Sequence, residues 1–349
     1  MFAYILKRIL LMIPTLLGAL LLAFTVIQFV PGGPVEQMVQ ELKGRGQGGE
    51  SAGSAVAEYR GRQGLSAQRI EEIKALYGFD KPASERFWLM LKNFVHFDLG
   101  QSFFYHQDVW TLVKSKLPVS MSLGLWSFFL SYLISIPLGV AKAVRAGSRF
   151  DSLTTLLVMF GYAIPGFVLG VALLVLFAGG TFWQWFPLRN LTSDNWESLS
   201  LGGKVLDYLW HITLPVTASV VGSFAVMTML TKNTFLEEIR KQYVLTARAK
   251  GLSERAVLYK HVFRNALIPL VTGFPAAFIG AFFAGSLLIE TLFSLDGLGL
   301  LSYEAAIKRD YPVVMGTLYL FTLIGLAIKL VSDLLYVWVD PRVKFGSVN

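Results

Sequence analysis

The sequence predicts an all-α fold: a polytopic membrane protein with six transmembrane helices and both termini in the cytoplasm. Three observations predict it. Of 349 residues only 15% are charged and 54% are hydrophobic, whereas a soluble domain carries about 25% charged residues. Uncharged apolar runs of about 20 residues recur, each long enough to cross a hydrocarbon core as a helix. Lys and Arg gather in the segments that separate alternate runs, which sets orientation.

The first span, Ile9–Val30, follows Lys7 and Arg8. It is longer than the apolar region of a signal peptide, and Val30-Pro-Gly-Gly-Pro follows where small cleavage-site residues would stand, so it reads as an uncleaved helix. A long outer segment, 31–117, comes next. Within it 44–64 is rich in Gly and small residues without helical or strand period, and reads as flexible. Ser66–Gly78 reads as a capped helix, with Ser66 as N-cap, Ile70, Ile73 and Leu76 at helical spacing, and Gly78 as the stop. Phe87–Phe97 is aromatic and amphipathic.

The second and third spans are Pro118–Ala141 and Leu153–Ala178, with Ile136-P-L-Gly139 and Tyr162-A-I-P-G-Phe167 inside them. Proline removes a backbone donor and kinks a helix. A membrane helix keeps one where neighbours or a wet cavity satisfy the freed carbonyl. The loop 179–211 carries Phe182-W-Q-W-F-Pro187 and Trp196, an aromatic girdle for the bilayer interface. Ile212–Leu230 is the fourth span, Ile268–Ile289 with Gly273-F-Pro275 the fifth, and Val313–Val339 the sixth. Lys329 and Asp333 lie four apart in the last span, on one face. Intramembrane charges are costly and mark substrate-path candidates; with the kink residues Tyr162 and Pro165 they make a candidate set of four. Mutual neutralisation between helices is the competing account of Lys329 and Asp333.

With this topology the N-terminus, 142–151, 232–264 and the C-terminus face the cytoplasm, with formal charges of +2, +2, +5 and +1 against +8 for the whole chain. The cytoplasmic segments therefore hold all of the positive excess. The basic character follows from topology, and no nucleic-acid partner is needed to explain it.

Several chemistries are absent. There is no cysteine, and the four histidines are scattered without ligand spacing, so no metal site is expected. The nearest string to a phosphate-binding loop, Gly202-Gly-Lys204, has Val205 where Ser or Thr is needed. No Ser/His/Asp set falls on one predicted face. The chain is expected to hold no catalytic residue and no cofactor. Energy for uphill movement must come from a gradient or from another protein.

The cytoplasmic segment 233–267 is unusual for a solvated loop. Phe235–Lys241 continues the fourth helix, and Thr246–Lys250 is helix-prone. Gly251 suits a left-handed C-cap, and Ser253 caps a second helix with Val257, Leu258 and Val262 on one face. Two short helices at an angle form a stiff knuckle with Arg248, Lys250 and Gly251 at its tip.

Thr246-A-R-A-K-G-Leu252 followed by Arg264-N-A-L-I-Pro269 resembles the cytoplasmic loop of ABC-importer permeases in its dipeptide/oligopeptide version. The likeness runs through the chain: Lys7-R-I-L-L-M-I-P-T-L-L-Gly18, Phe97-D-L-G-Q-Ser102, Glu290-T-L-F-S-L-D-G-L-Gly299, Arg309-D-Y-P-V-Val314 and Asp333-L-L-Y-V-W-V-D-P-Arg342 stand in the family's order. Departures are Leu245-Thr-Ala in place of Glu-Ala-Ala, Gly33 in place of Asp, Leu295-Asp296 in place of Ile-Pro, and the Gly-rich insert. The insert resembles the branch that takes up peptides and peptide-nucleotide antibiotics.

The resemblance implies a single permease domain over 1–349 in a bacterial inner membrane. It implies a second homologous permease, two ATP-binding subunits or one fused double ATPase that bind ATP and Mg, a periplasmic peptide-binding protein, and the lipid bilayer as partners. Thr246, Ala247, Arg248, Ala249, Gly251 and Leu252 are then the residues that couple to the ATPase. A gradient-driven secondary transporter or channel is the alternative; it would show inverted repeats or ion-coupling carboxylates, and the sequence shows no internal repeat and only the Lys329/Asp333 pair.

Overall fold

A computed structural model describes residues 2–29, 80–180, 182–282 and 286–339. The expected flexible stretch 44–64 and the expected helix Ser66–Gly78 lie outside the described residues. Among the described residues the secondary structure is helical throughout: α1 Phe2–Phe29, α2 Ala83–Val95, α3 Val109–Val144, α4 Arg149–Ala163, α5 Gly166–Phe177, α6 Leu201–Ile239, α7 Gln242–Ala249, α8 Glu254–Ala266, α9 Ile268–Phe282, α10 Leu287–Leu292, α11 Leu298–Ile307 and α12 Tyr311–Val339.

Four helical stretches are long and apolar enough to cross a bilayer: Tyr4–Phe29, Val109–Val144, Leu201–Ile239 and Tyr311–Leu334. Two more pass only as bent pairs, α4 with α5 at 92° and α8 with α9 at 50°, so the count reaches six if each pair is one span.

The expected third span, Leu153–Ala178, is therefore not one helix. Pro165 has no N–H to donate and forces its predecessor out of the helical region; Ile164 sits at φ −89°, ψ 118°, and the chain turns there. The expected fifth span, Ile268–Ile289, is also divided, since Ser286 is extended at φ −119°, ψ 92° and Ile289 lies beyond it in α10. Pro137 and Pro215 do not break α3 and α6. The fourth span is the middle of a helix of 39 residues, capped where the Ser200 hydroxyl accepts from Gly203 N at 3.2 Å.

The chain divides into two compact units. The first comprises Lys116–Leu301 with the chain ends Met1–Ile5 and Gly325–Asn349. It has two apolar cores. One gathers Leu123, Leu174, Val216, Ala218 and Ile289 from α3, α5, α6 and α10, with Phe293 just past the end of α10. The other gathers Val140 and Ala143 of α3, Phe235 of α6, Val244 and Ala247 of α7, and Val257 and Val262 of α8. Next to Val140 of this second core, α3 passes close against α6 at Gly139. A Cβ on Gly139 would lie 2.5 Å from Thr231 Cβ and 2.9 Å from Thr228 O, so only glycine fits.

The second unit comprises Leu6–Ser115 and Ser302–Ile324. Its core includes Phe94, Leu99, Val109, Val313 and Tyr319. Asp310, buried at 1% exposure, accepts from the Ser102 hydroxyl and from Phe103 N at 3.1 Å. These contacts secure Gly100–Phe103, a connection without helical hydrogen bonds of its own.

Candidate functional site

The knuckle is built on the second core of the first unit. α6 carries past its apolar stretch to Ile239, and α7 starts at Gln242. Val244 and Ala247, three apart on one face of α7, are buried against Phe235 and Val257. Gly251 takes φ +78° and its N–H bonds Arg248 O at 2.9 Å, closing α7 with the left-handed residue such an end requires. Ser253 then caps α8, its hydroxyl accepting from Ala256 N at 3.3 Å. The middle of α8, Val257–Val262, is π-helical, which periodicity did not reveal.

This core divides the six expected coupling residues. Ala247 is buried and Leu252 half-buried, so these two fix the knuckle from within. Thr246, Arg248, Ala249 and Gly251 are exposed. Leu245 on α7 and Tyr259 on α8 are also exposed large side chains, which the sequence did not single out because each reads as an ordinary apolar helix position. Lys241 pairs with Glu238, and that hydrogen bond holds its ammonium above the ordinary lysine range. Tyr243 donates to Glu238 Oε2 at 2.6 Å.

A second feature of the first unit is a cavity of about 680 Å³. Ser127 and Ser131 on α3, and Ser219 and Ser223 on α6, are each four residues apart and so form two hydroxyl stripes. Ser131 and Ser223 hydrogen-bond each other at 2.9 Å. Ser127 Oγ is buried with no hydrogen-bond partner among the described residues. Phe128 and Tyr132 line the same space and pack on Phe274 of α9, with ring centroids 5.0 and 5.3 Å away. Phe167, just past the Pro165 break, closes another side. The described lining contains no charged side chain. Serines at helical spacing are too common in sequence to have signalled this.

The four expected substrate-path residues are not among this lining. Pro165 is exposed at the break, and the two residues that follow it, Gly166 and Phe167, do line the cavity. Tyr162 is exposed on α4. Lys329 is exposed, and Asp333 accepts from the Tyr4 hydroxyl at 3.1 Å, which ties α12 to the start of α1.

One constellation was not expected. The outer loop folds Ser193 onto α6, where its hydroxyl lies 2.5 Å from Asp207 Oδ1 and 3.0 Å from His211 Nε2. The order differs from that of a nucleophile triad. His211 Nδ1 faces the Asn190 carbonyl at 3.0 Å, and the Asp207 carboxylate accepts a hydrogen bond from the serine hydroxyl instead of one from the imidazole Nδ1. The set pins the loop to α6. Among the described residues no group of three or more metal-ligating side chains is assembled.

Residues 135–345 match the family described as binding-protein-dependent transport system inner membrane component. The chain is 54% identical to the peptidoglycan transport system permease protein YejB of Agrobacterium fabrum, with 98% of each chain covered. It is 53% identical to the inner membrane ABC transporter permease protein YejB of Escherichia coli O157:H7, over 98% of this chain and 99% of that one. It is 32% identical to the oligopeptide transport system permease protein AppB of Bacillus subtilis, over 99% of this chain and all of that one.

Proposed function

The chain belongs to the binding-protein-dependent transport system inner membrane components, and we propose that it is the permease subunit of an ATP-driven importer that moves oligopeptides or peptide-like compounds inward by alternating access. Relatives named for peptidoglycan and oligopeptide transport support that substrate class. The observation that carries the mechanism is the knuckle: a capped helix, α7, seated on its own apolar core with an exposed outer face, in a chain that has no phosphate-binding loop.

In this reading ATP and Mg are bound by separate subunits, two ATPases or one fused pair, and the exposed part of Thr246–Leu252 sits in a cleft on one of them. A second homologous permease completes the pathway, and a periplasmic binding protein delivers the peptide. The chain then needs no ATPase site of its own. The uncharged, hydroxyl-bearing cavity suits the main chain of a passing peptide, because hydroxyls serve amide donors and acceptors alike and no wall charge selects for side-chain charge.

The test is reconstitution of the full transporter in liposomes. Labelled peptide should enter only with ATP and binding protein, and Ala249→Arg on the exposed face of α7 should abolish both ATPase co-purification and uptake. Uptake that survives removal of the ATPase subunits would overturn the reading in favour of a gradient-driven transporter.

A further inference from the structure

Beside the knuckle's core the first unit holds a cluster of three charged groups, of which Lys142 and Asp151 are buried and Lys232 half-buried. Lys142, in the last turn of α3, has no exposed surface. Its ammonium lies 3.1 Å from Asp151 Oδ1 and donates to Asp151 O at 2.9 Å, Thr154 Oγ1 at 2.8 Å and Thr155 Oγ1 at 2.6 Å. Lys232 of α6 approaches the same carboxylate from the other side, 2.7 Å from Oδ1 and 2.8 Å from Oδ2. Gly147 N, in the turn between α3 and α4, donates to Oδ2 at 3.1 Å. One carboxylate in the first turn of α4 thus holds three helices and the turn joining two of them.

Two features give the cluster reach. First, the helices it ties also form the knuckle's core: Val140 and Ala143 flank Lys142 on α3, and Phe235 follows Lys232 by three residues on α6, all packed with α7 and α8. Second, α4 runs from Asp151 to the Pro165 break, just past which Gly166 and Phe167 line the cavity. A displacement of α7 is therefore passed to α3 and α6 by apolar contact and to α4 by the shared carboxylate. A buried multidentate ion cluster resists sliding, because any partial separation leaves a charge unpaired in low dielectric.

We propose that Lys142, Asp151 and Lys232 form the joint that makes the knuckle and the cavity-lining helices move as one body, so that they are positioning residues for transport. This rests on the permease reading above.

The experiment uses the assembled transporter with its ATPase and binding protein in liposomes, measuring ATP hydrolysed and peptide imported in the same sample. Lys232→Gln, at the more accessible rim of the cluster, is the first variant. It should keep assembly and hydrolysis while peptide imported per ATP falls about tenfold, within the usual range for a lost coupling between sites. Lys232→Arg, whose fork can still hold both carboxylate oxygens, should restore the ratio. Because the chain has no cysteine, Phe167→Cys gives a single thiol at the cavity wall. Its labelling rate should change on ATP trapping with Lys232 present and not in Lys232→Gln.

Hydrolysis and import falling in equal proportion would overturn the proposal, since that marks a merely structural cluster; so would failure of Lys232→Gln to assemble, or an unchanged ratio with ATP-dependent labelling intact. Unsubstituted protein that imports peptide without ATP would sink the permease reading itself, which separates the two failures.

Discussion

Arg248 donates Nε and an NH2 group to the two carboxylate oxygens of Glu254, at 2.9 and 3.1 Å, across the turn between α7 and α8. The residue best placed by sequence to reach an ATPase is thus engaged within its own knuckle. Both side chains are well exposed, 39% and 74%, and such a pair contributes about 0.2–1 kcal/mol at most. Arg248→Gln should leave the melting temperature of the purified transporter unchanged within about 2 °C. Glu254→Gln, which frees the guanidinium, should alter ATPase co-purification more than stability. A large drop in melting temperature for Arg248→Gln would show the pair to be structural.

Gly251 has no neighbour within 4 Å of a Cβ built on it, so its constraint is the φ of +78° alone. Gly251→Ala should cost about 1–2 kcal/mol, the penalty of a left-handed non-glycine residue, and retain uptake. Gly251→Pro cannot adopt that φ and loses the bond to Arg248 O. It should reach the membrane at normal levels yet fail to retain the ATPase in a pull-down. Equal behaviour of the two variants would contradict this account.

Gly139 and Thr228 face each other with opposite expectations. Gly139→Val places methyls where Thr231 Cβ and Thr228 O already are and should destabilise by about 1–3 kcal/mol, or more if α3 and α6 cannot separate. Thr228 Oγ1 is buried with no hydrogen-bond partner among the described residues. Thr228→Val should therefore be neutral or stabilising, because it removes an unsatisfied hydroxyl at nearly constant shape. Thermal unfolding of the two variants checks both directions at one contact.

Glu290 on α10 has no exposed surface and accepts from Ser120 Oγ at 3.2 Å, Ser286 N at 3.2 Å and Leu300 N at 2.7 Å. Burial outweighs these donors and pushes its carboxyl above the ordinary 4.5. A raised folded pKa means stability that is fully present below the unfolded value and lost as pH rises through the folded one. The melting temperature relative to Glu290→Gln should therefore rise as pH is lowered from 8 to 5. A gap that is flat or reversed with pH would refute it.

Local rules recovered what is local. The Gly251 stop, the Ser253 cap and the apolar face of α8 were readable because each depends on residues within one or two turns; the buried face of α7, Val244 and Ala247, was not read. Pro165 was readable as a kink but not as a 92° turn, since the bend depends on what α5 packs against. The Lys142–Asp151–Lys232 cluster was not readable: its members supply topogenic charge in sequence, and only folding brings Lys232 to a carboxylate 81 residues away. The same holds for Ser193, which meets Asp207 and His211 through a loop of no regular period. The cavity was invisible because serine and phenylalanine at helical spacing are ordinary in any apolar helix.

The π-helical stretch Val257–Val262 sits between the knuckle and the membrane-directed α9. Such a stretch accommodates one residue more than the regular ladder needs. Removing a single residue there would restore the ordinary ladder and leave the segments on either side nearly in their present phase, because the wide turn has already absorbed the extra residue. The same deletion in the regular turns of α8 would swing everything before it by about 100° around the helix axis. The heading of the knuckle is therefore tolerant of residue count within Val257–Val262 and indexed by it in the rest of α8.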